Sequence, residues 1–354
     1  MTGGRARVAA AAALGGLVGA AVGSCGGSGT ATGGGAVGTA GAKAVIAAMR
    51  AAEAVRAPWR CARLVPEAAK TVSDTFETAG KHWRVEGDTL RGDGSGPLRM
   101  GLVADARGGG DATRVALVGL GPLLRRAAVD LVIAVGGMGT TEAELVRTLE
   151  PLTGPWPVVA IPGDRESLPA LRGAVALLRS RGAAIVDGSA VRFVEAGGAV
   201  MATLPGLPYH ERLAAGADGC QHDDADAAAV LDALDARAPA AKAGRPPRIL
   251  VTPRAPRTGG ASDLAIGGIH VGDVGLARAL GESPIDLVVH GPVTDRLAPA
   301  GAVAHGPVVL AAGDLDAGPR FDERGARVPP AALVVTIDRR ALAWQPLVAP
   351  AAPP

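Results

Sequence analysis

From Leu98 onward, short runs of branched aliphatic residues alternate with longer segments of helical spacing. The runs LRMGLVA, DLVIAV, PVVAI, RILVT and IDLVVHG predict strands, and helices are predicted over residues 113–128, 140–152, 168–181 and 223–236. Strands alternating with helices indicate a layered α/β fold, and the later strands VVLAAG, ALVVTID and ALAWQPL indicate additional or mixed sheets. This pattern constrains the fold more than any other feature of the chain.

Each of these early strands ends in a turn that can carry chemistry. In α/β folds, sites lie beyond the carboxyl ends of the strands, so these turns are the first place to look for function. The turns are Asp105-Ala106-Arg107-Gly108, Gly136-Gly137-Met138, Gly163-Asp164-Arg165-Glu166, Pro253-Arg254-Ala255-Pro256 and Pro292-Val293-Thr294-Asp295.

The order and spacing of these turns resemble the calcineurin-like metallophosphoesterases over residues 98–347. That family carries Asp-x-His, Gly-Asp, Gly-Asn-His-Asp/Glu, a lone His and Gly-His-x-His. The segments SDLAIGGIHVGD and DLVVHG also resemble one branch of the family. The resemblance implies an αββα sandwich with mixed sheets, two bound metals and a catalytic His.

Most of the residues that hold the metals in this family are replaced here. Asp105 matches the first metal-binding Asp, and it is the one family ligand that survives unchanged. The other positions of the former metal pocket hold Arg107, Gly137, Asp164, Arg165, Pro253, Pro292 and Thr294.

These replacements remove the chemistry of a two-metal hydrolase. Gly137 replaces the bridging Asp and has no side chain, and guanidinium groups donate hydrogen bonds but cannot ligate a cation. We therefore expect no catalytic residue, no metal and no cofactor. Asp105 and Asp164 could hold one hard cation, although the neighbouring arginines oppose it. The alternative is a divergent phosphoesterase that uses two divalent metals on phosphomonoesters or phosphodiesters.

Three arrangements of Arg107 and Arg165 stay open. In the first, both neutralise Asp105 and Asp164 in a salt-bridge cluster that replaces the metals, because a buried acidic pair is unfavourable. In the second, both arginines point to solvent. In the third, a surplus of positive charge binds an anion such as phosphate. We favour them in that order.

Other candidate residues are better explained by structure. The histidines at positions 82, 210, 222, 270, 290 and 305 are scattered, and a structural role is favoured over ligation. GGMGTTEAEL lacks the Lys of a phosphate-binding loop, so Thr140 or Thr141 is predicted to cap a helix. DGCQHDD is predicted to be a loop that ends at a helix start.

The N-terminal residues resemble a lipoprotein signal peptide. Arg5 and Arg7 precede an apolar stretch, and the sequence VGSC at 22–25 resembles a lipobox that ends at Cys25. We expect a signal peptide over 1–25, acylation of Cys25 and a Gly-rich tether over 26–42. The residue after Cys25 is Gly26 rather than Asp. This choice favours the outer membrane as the destination. The expected partner is the membrane; a protein partner or a small anion stays open.

The rest of the chain divides into a helical preface with a small hairpin (43–96), the phosphoesterase-like domain (97–348) and a disordered tail (349–354). WRVEGDTLRG is the predicted hairpin. In an exported protein, Cys61 and Cys220 either form a disulfide or remain buried thiols. The net charge of +2 gives no support for nucleic-acid binding.

Overall fold

The structure, a computed structural model, describes residues 59–64, 72–78, 80–94, 96–208, 213–238, 245–265, 268–293, 300–303, 306–318, 321–322, 325–338 and 341–350. They lie within one compact unit, Pro58–Pro354. The predicted signal peptide, the tether, Cys25 and Thr294 lie outside the described residues. Among the described residues, no helix has the length and apolar character needed to span a membrane.

The secondary structure consists mainly of short strands joined by five α-helices in the described part of the chain. The strands are β1 (Val72–Thr78), β2 (Lys81–Glu86), β3 (Thr89–Gly92), β4 (Leu98–Ala104), β5 (Leu131–Val135), β6 (Val158–Ile161), β7 (Ile185–Asp187), β8 (Phe193–Ala196), β9 (Ala199–Thr203), β10 (Arg248–Thr252), β11 (Leu264–Ala265), β12 (Ile269–His270), β13 (Leu287–His290), β14 (Ala300–Ala302), β15 (Val308–Ala311), β16 (Gly313–Asp314), β17 (Ala331–Asp338) and β18 (Ala341–Val348). The helices are α1 (Asp111–Arg126), α2 (Glu142–Leu149), α3 (Leu168–Ser180), α4 (Asp224–Arg237) and α5 (Val274–Gly281).

Two mixed sheets contain nearly all of these strands. The seven-stranded sheet has the order β18-β17-β4-β5-β6-β7, with β16 beside β4, and the nine-stranded sheet has the order β1-β2-β3-β8-β9-β10-β13-β15-β14. The central strands β4, β5 and β6 pair in parallel, as do β9, β10, β13 and β15. These strands are continuous apolar runs because both of their faces are buried.

Three apolar cores lie between adjacent layers and pack them together. The first lies between the sheets and contains side chains of both, such as Leu102 and Val251. The second joins the outer face of the seven-stranded sheet to α1, α2 and α3, and the third joins the outer face of the nine-stranded sheet to α4 and α5. The layers are therefore helix, sheet, sheet, helix.

The predicted helix starts are present in the structure. Thr141 caps α2 in a capping box with Glu144, and Asp223 caps α4 in a capping box with Asp226. Each side chain accepts a backbone N–H that the first helical turn leaves without a partner. The DGCQHDD segment is therefore a loop that leads into a helix.

Two predicted boundaries differ from the structure. Strands β2 and β3 form the hairpin at WRVEGDTLRG, but β3 also pairs in parallel with β8, so the hairpin is part of the nine-stranded sheet rather than of a separate preface. The predicted tail starts too early, because Ala349 is 2% exposed and its N–H donates to the carbonyl of Pro330 at 2.8 Å. Pro350 packs against Gly119 of α1.

The segment 59–64 is held against the outer face of the nine-stranded sheet. Cys61 is paired with Cys220, with 5.7 Å between their Cα atoms. Arg60 donates to both Asp223 and Asp226. The buried guanidinium of Arg192 donates to the carbonyls of Cys61 and Ala62 at 2.9 and 2.8 Å. A covalent bond and buried hydrogen bonds therefore fix the same short segment.

Candidate functional site

A pocket of about 240 Å³ opens where the carboxyl ends of both sheets meet. The turns after β4, β5, β6, β10 and β13 all reach it, as the sequence predicted for these turns. Its described lining is Asp105, Arg107, Val135, Gly136, Gly137, Asp164, Arg165, Leu207, Pro253, Arg254, Ala255, Gly291, Pro292 and Val293. All seven described positions of the predicted former metal pocket are in that set.

Backbone hydrogen bonds hold the first two turns together. The N–H of Asp105 donates to the carbonyl of Gly136 at 3.0 Å, and the N–H of Arg107 donates to that of Gly137 at 2.8 Å. Asp105 and Arg107 have positive φ angles of 58° and 48°. Residues other than Gly adopt this conformation at a cost of about 1–3 kcal/mol when the surroundings impose it. The turn is therefore fixed by its neighbours.

Arg107 is the centre of a cluster of carboxylates. Its Nε and Nη2 donate to Oδ2 of Asp105 at 3.0 and 2.8 Å, and its Nη1 lies 3.0 Å from Oδ2 of Asp316. The hydrogen bond that Arg107 donates to Asp105 is the main cause that raises the pKa of the Arg107 guanidinium, and the charges of Asp316 and Asp314 add to it. A side-chain cation thus lies beside Asp105, the residue that the resemblance matches to a metal ligand.

Gly137 has no room for the bridging acid of the family. A Cβ built on Gly137 would lie 2.6 Å from Oδ1 and 2.8 Å from Cα of Asp105, and φ at Gly137 is +72°. Both distances are shorter than real Cβ contacts, and one of them is to backbone. An Asp at this position would require the Asp105 turn to move.

The predicted four-residue salt-bridge cluster forms only in part. Arg107 pairs with Asp105, but Arg165 makes no ion pair or side-chain hydrogen bond with the described residues, and it is half-buried at the pocket wall. Burial raises the pKa of Asp164, and the nearby positive charge of Arg165 opposes that rise. Asp316, which the sequence did not indicate, takes the place in the cluster that was predicted for Asp164.

Prolines occupy the wall formed by the nine-stranded sheet, at positions where the resemblance implies imidazoles. Pro253 follows β10 directly, Pro292 lies two residues after the end of β13, and both line the pocket. Arg254 lines it as well, and its Nη2 donates to the carbonyl of Val271 at 2.7 Å. The sequence showed Arg254 in the turn but gave no reason to assign it to the site.

The buried carboxylate of Glu166 holds the turn after β6 in place. The residue is 1% exposed, and its carboxylate accepts the N–H of Met138 at 2.5 Å and that of Gly163 at 2.8 Å. It therefore links the turn after β5 to the turn after β6. Burial raises its pKa to about 7, against the lowering effect of those two backbone N–H groups. Nothing in the sequence shows that this Glu is buried.

The described histidines are not gathered at the pocket. His290 is fully buried at the end of β13, where its Nδ1 donates to the carbonyl of Gly291 at 2.5 Å and burial lowers its pKa to about 4. His270 contacts Asp263, and His222 contacts the carbonyl of Pro205. His82 lies on β2, and His210 and His305 lie outside the described residues. A structural role fits each of the contacts seen.

The donor set does not fit two divalent metals. Such a site needs a bridging carboxylate and several imidazoles. Here the bridging position is Gly137, and the guanidinium of Arg107 already occupies an oxygen of Asp105. Within the described ranges, no group of at least three His, Cys, Asp or Glu residues could hold a metal ion.

Comparisons with known proteins concern the fold. No protein-family model and no curated protein matches the chain. A dimetal phosphatase from Danio rerio is 13% identical over 72% of this chain and 99% of that chain, with a TM-score of 0.44. Purple acid phosphatase PPD1 from yellow lupin seeds is 10% identical over 76% and 56%, with a TM-score of 0.43.

A further solved crystal structure is 11% identical over 72% of this chain and 100% of that chain, with a TM-score of 0.52. At such identities the likeness shows the fold alone. The predicted metallophosphoesterase-like αββα sandwich with mixed sheets is confirmed, because the two mixed sheets and the outer helices have that arrangement.

Proposed function

We propose that this chain is a phosphoesterase-like protein that does not hydrolyse phosphate esters and has a binding or structural role at the bacterial cell envelope. The observation that supports it is the cluster in which Arg107 contacts both Asp105 and Asp316. The guanidinium of Arg107 occupies the Asp105 oxygen that a metal would need. A side chain of the protein therefore supplies the positive charge in the pocket.

The chemistry of the turns also supports loss of catalysis. Two-metal hydrolysis requires a bridged metal pair and a group that can transfer a proton to the leaving oxygen. Gly137 cannot bridge, and Arg165 stands where the family has its catalytic His. A guanidinium stays protonated at physiological pH, so it cannot exchange a proton as an imidazole does.

Metal content and turnover of the purified protein test this proposal. We expect metal well below one equivalent by elemental analysis, and no hydrolysis of p-nitrophenyl phosphate or bis-p-nitrophenyl phosphate above background with added Mn²⁺. Asp105→Ala is the control for contaminating phosphatases. Two equivalents of Mn, Fe or Zn, or turnover that Asp105→Ala abolishes, would instead establish the divergent metal-dependent phosphoesterase.

A small oxyanion such as phosphate is the ligand class that the pocket favours. Arg165 lines the pocket without an ion pair to the described residues, and arginine binds phosphate through paired N–H donors. Phosphate should raise the melting temperature of the wild type in a concentration-dependent way. Arg165→Ala should remove that shift, whereas Arg114→Ala, on the exposed face of α1, should retain it. An equal shift in both variants would mean that phosphate acts elsewhere.

The envelope location rests on the N-terminal sequence. The basic start, the apolar stretch and the lipobox-like VGSC support export and acylation of Cys25, with the outer membrane as destination. The pairing of Cys61 with Cys220 agrees with an oxidising compartment. Cys25→Ala should release the protein from the membrane fraction and change its mass by the loss of the acyl groups. Unchanged mass and fractionation would contradict acylation.

A further inference from the structure

Exposed large hydrophobic residues are distributed unevenly between the two ends of the sandwich. In the described part of the chain they are Trp59, Val115, Val118, Ile269, Val274, Phe321, Trp344 and Val348. None of them lies in the described turns that precede β4, β5, β6, β10 and β13, at the end opposite the pocket. Trp59, Ile269 and Val274, in contrast, belong to segments that border the pocket. We call the surface formed by these three residues the pocket-end face.

Two β-bridges connect Trp59 to the wall of the pocket. The N–H of Trp59 donates to the carbonyl of Gly219 at 2.9 Å, and the N–H of Gln221 donates to the carbonyl of Trp59 at 2.8 Å. On its other side this segment bridges Leu207, whose N–H donates to the carbonyl of Cys220 at 3.1 Å. Leu207 lines the pocket, so the backbone of Trp59 lies two strand spacings, or about 10 Å, from the pocket wall. The Trp59 residue is 48% exposed.

Ile269 and Val274 flank a second segment that is bonded to the pocket wall. The carbonyl of Val271, between them, accepts from Nη2 of Arg254, and Arg254 lines the pocket. Ile269 lies on β12 and is 65% exposed, and Val274 begins α5 and is 56% exposed. Both are therefore large aliphatic residues that face solvent beside the pocket.

The start of α4 joins these residues to Trp59. A Cβ built on Gly275, the residue after Val274, would lie 3.0 Å from Oδ1 of Asp224 in the first turn of α4. Arg60, the residue after Trp59, donates from Nη2 to the N-cap carboxylate of the same helix at 2.7 Å. The pocket-end face is therefore one continuous region of the surface.

Arginines and aspartates alternate around the pocket-end face. The guanidinium carbon of Arg172 lies 5.6 Å from the centroid of a Trp59 ring, whereas Asp223 and Asp224 are exposed at the start of α4. Apolar burial, rather than net charge, therefore favours binding by this face. Tryptophan suits the boundary between lipid headgroups and acyl chains, because its ring is apolar and its N–H can keep a polar partner.

We propose that the pocket-end face rests on a phospholipid bilayer, with Trp59, Ile269 and Val274 at the boundary between headgroups and acyl chains. The inference rests on the proposed anchoring at Cys25. The chain that leads from Cys25 enters the described domain at Trp59, which is part of the face itself. Contact with the bilayer removes three exposed apolar side chains from water, and the pocket then opens toward the headgroups.

Tryptophan fluorescence of the full chain in lipid vesicles tests this orientation. The chain has four tryptophans, and Trp83 and Trp156 are each 2% exposed, so Trp59 and Trp344 are the accessible ones. Trp344 lies halfway along the edge strand β18. Phosphatidylcholine vesicles brominated on their acyl chains should quench Trp344→Phe, which retains Trp59, and should leave Trp59→Phe unquenched. Equal quenching of both variants, or no quenching of Trp344→Phe, would overturn the proposal.

Acidic substitutions in the Trp344→Phe background test the aliphatic part of the face. Ile269→Asp and Val274→Asp should each remove most of the quenching of Trp59, because a carboxylate is costly to place against acyl chains. Val118→Asp is the matched control, since Val118 also lies in a helix and is 59% exposed. It should retain the quenching, and an equal loss there would refute the assignment to this face. Ile269→Asp decides the result if Val274→Asp does not fold.

The mass of the same preparation separates this inference from the anchor. An acylated chain whose Trp59 stays unquenched would contradict the orientation and leave the anchoring at Cys25 intact. An unmodified chain would contradict acylation. Vesicles added to that chain would then decide, by the quenching of Trp59, whether the face binds lipid without the anchor.

Discussion

The two sheets contribute unlike walls to the pocket at their carboxyl ends. The turns of the seven-stranded sheet bring two carboxylates and two guanidiniums, Asp105, Asp164, Arg107 and Arg165. The turns of the nine-stranded sheet bring mainly prolines and aliphatic groups, with Arg254 as their charged residue among the described ones. One wall therefore combines acidic and cationic side chains, whereas the other has no imidazole among its described lining residues.

Under the proposed loss of the metals, the two walls would have lost their ligands in different ways. A partly buried carboxylate without a partner is destabilising, so a neighbouring cation stabilises it. Arg107 does this for Asp105. A neutral imidazole that loses its metal leaves no charge behind, so proline can replace it without a compensating partner. Most charged side chains of the pocket therefore lie on the wall that carries Asp105 and Asp164.

A buried titratable residue lies behind each wall, and burial shifts the pKa values of the two residues in opposite directions. Glu166 is buried behind the acidic wall, where burial raises its pKa from 4.5 to about 7. His290 is buried behind the proline wall, where burial lowers its pKa from 6.5 to about 4. Burial thus favours the neutral form of each group.

The largest expected effect on stability comes from the disulfide that ties segment 59–64 to the layer behind the nine-stranded sheet. The Cys61–Cys220 pair closes a sequence separation of 159 residues. Replacing both cysteines with serine should lower the free energy of unfolding by about 3–5 kcal/mol, because the unfolded chain regains the entropy of an open loop. Urea denaturation of the variant, and of the wild type with reductant, measures this. Two reactive thiols in the denatured wild type without reductant would contradict the bond.

Introducing an acid at position 137, on the other wall, should have the next largest effect. Gly137→Asp places a Cβ against the backbone of Asp105 at a positive φ, so the free energy of unfolding should fall by about 3 kcal/mol. Thermal and urea denaturation measure the change.

Gly182→Asp is the control for Gly137→Asp. Gly182 also has a positive φ, +89°, but a Cβ there meets no atom within 4 Å. It should therefore lose only the backbone contribution of about 1 kcal/mol. Equal losses in both variants would mean that the pocket has room for a side chain at Gly137, which would weaken the case against metals.

The fold was predictable because buried parallel strands leave continuous apolar runs, such as LRMGLVA and PVVAI, that no helix periodicity explains. The pairing of β3 with β8 could not be predicted, because it joins residues that are far apart in the chain. The same distinction applies to the pocket. The turns after β4, β5 and β6 were predicted to meet, but Asp316 arrives on a segment without a recognisable motif.

Glu166 shows a further limit of the sequence. Its position in GDRES indicates an exposed turn residue, and only the packing of two neighbouring turns buries it. Burial, in turn, sets its pKa. Properties that depend on the packing of several segments cannot be derived from the local sequence alone.

The pH dependence of stability separates the two walls. A raised folded pKa means that the native state binds the proton more tightly, so Glu166 makes the protein less stable as pH rises from 4.5 to about 7. A lowered folded pKa has the opposite effect, so His290 makes the protein less stable as pH falls from 6.5 to about 4. Each slope is at most about 1.4 kcal/mol per pH unit. The two contributions therefore oppose each other between pH 4.5 and 6.5.

Single variants should reveal each slope. Glu166→Gln should become less stable on acidification than the wild type does, because only the His290 contribution remains. His290→Gln should become more stable on acidification, for the converse reason. The measurement is the free energy of unfolding in urea at several pH values, compared as differences from the wild type. Parallel profiles of both variants and the wild type would show that these groups titrate alike in the folded and unfolded states.

The smallest expected effect concerns the ion pair between Arg107 and Asp105. The Arg107 side chain is 46% exposed, so its ion pair with Asp105 is screened by water. A double-mutant cycle with Arg107→Ala and Asp105→Ala should give a coupling of about 0.5–1 kcal/mol, and the cycle with Asp316→Ala a similar value. Arg181 and Glu150, at 50% and 53% exposure, are the matched control pair. Their coupling should be smaller because no second carboxylate of the described residues orients the Arg181 guanidinium. Couplings at Arg107 no larger than the control would mean that the acidic wall is not stabilised by its arginine. The contrast between the walls would then reduce to the loss of ligands alone.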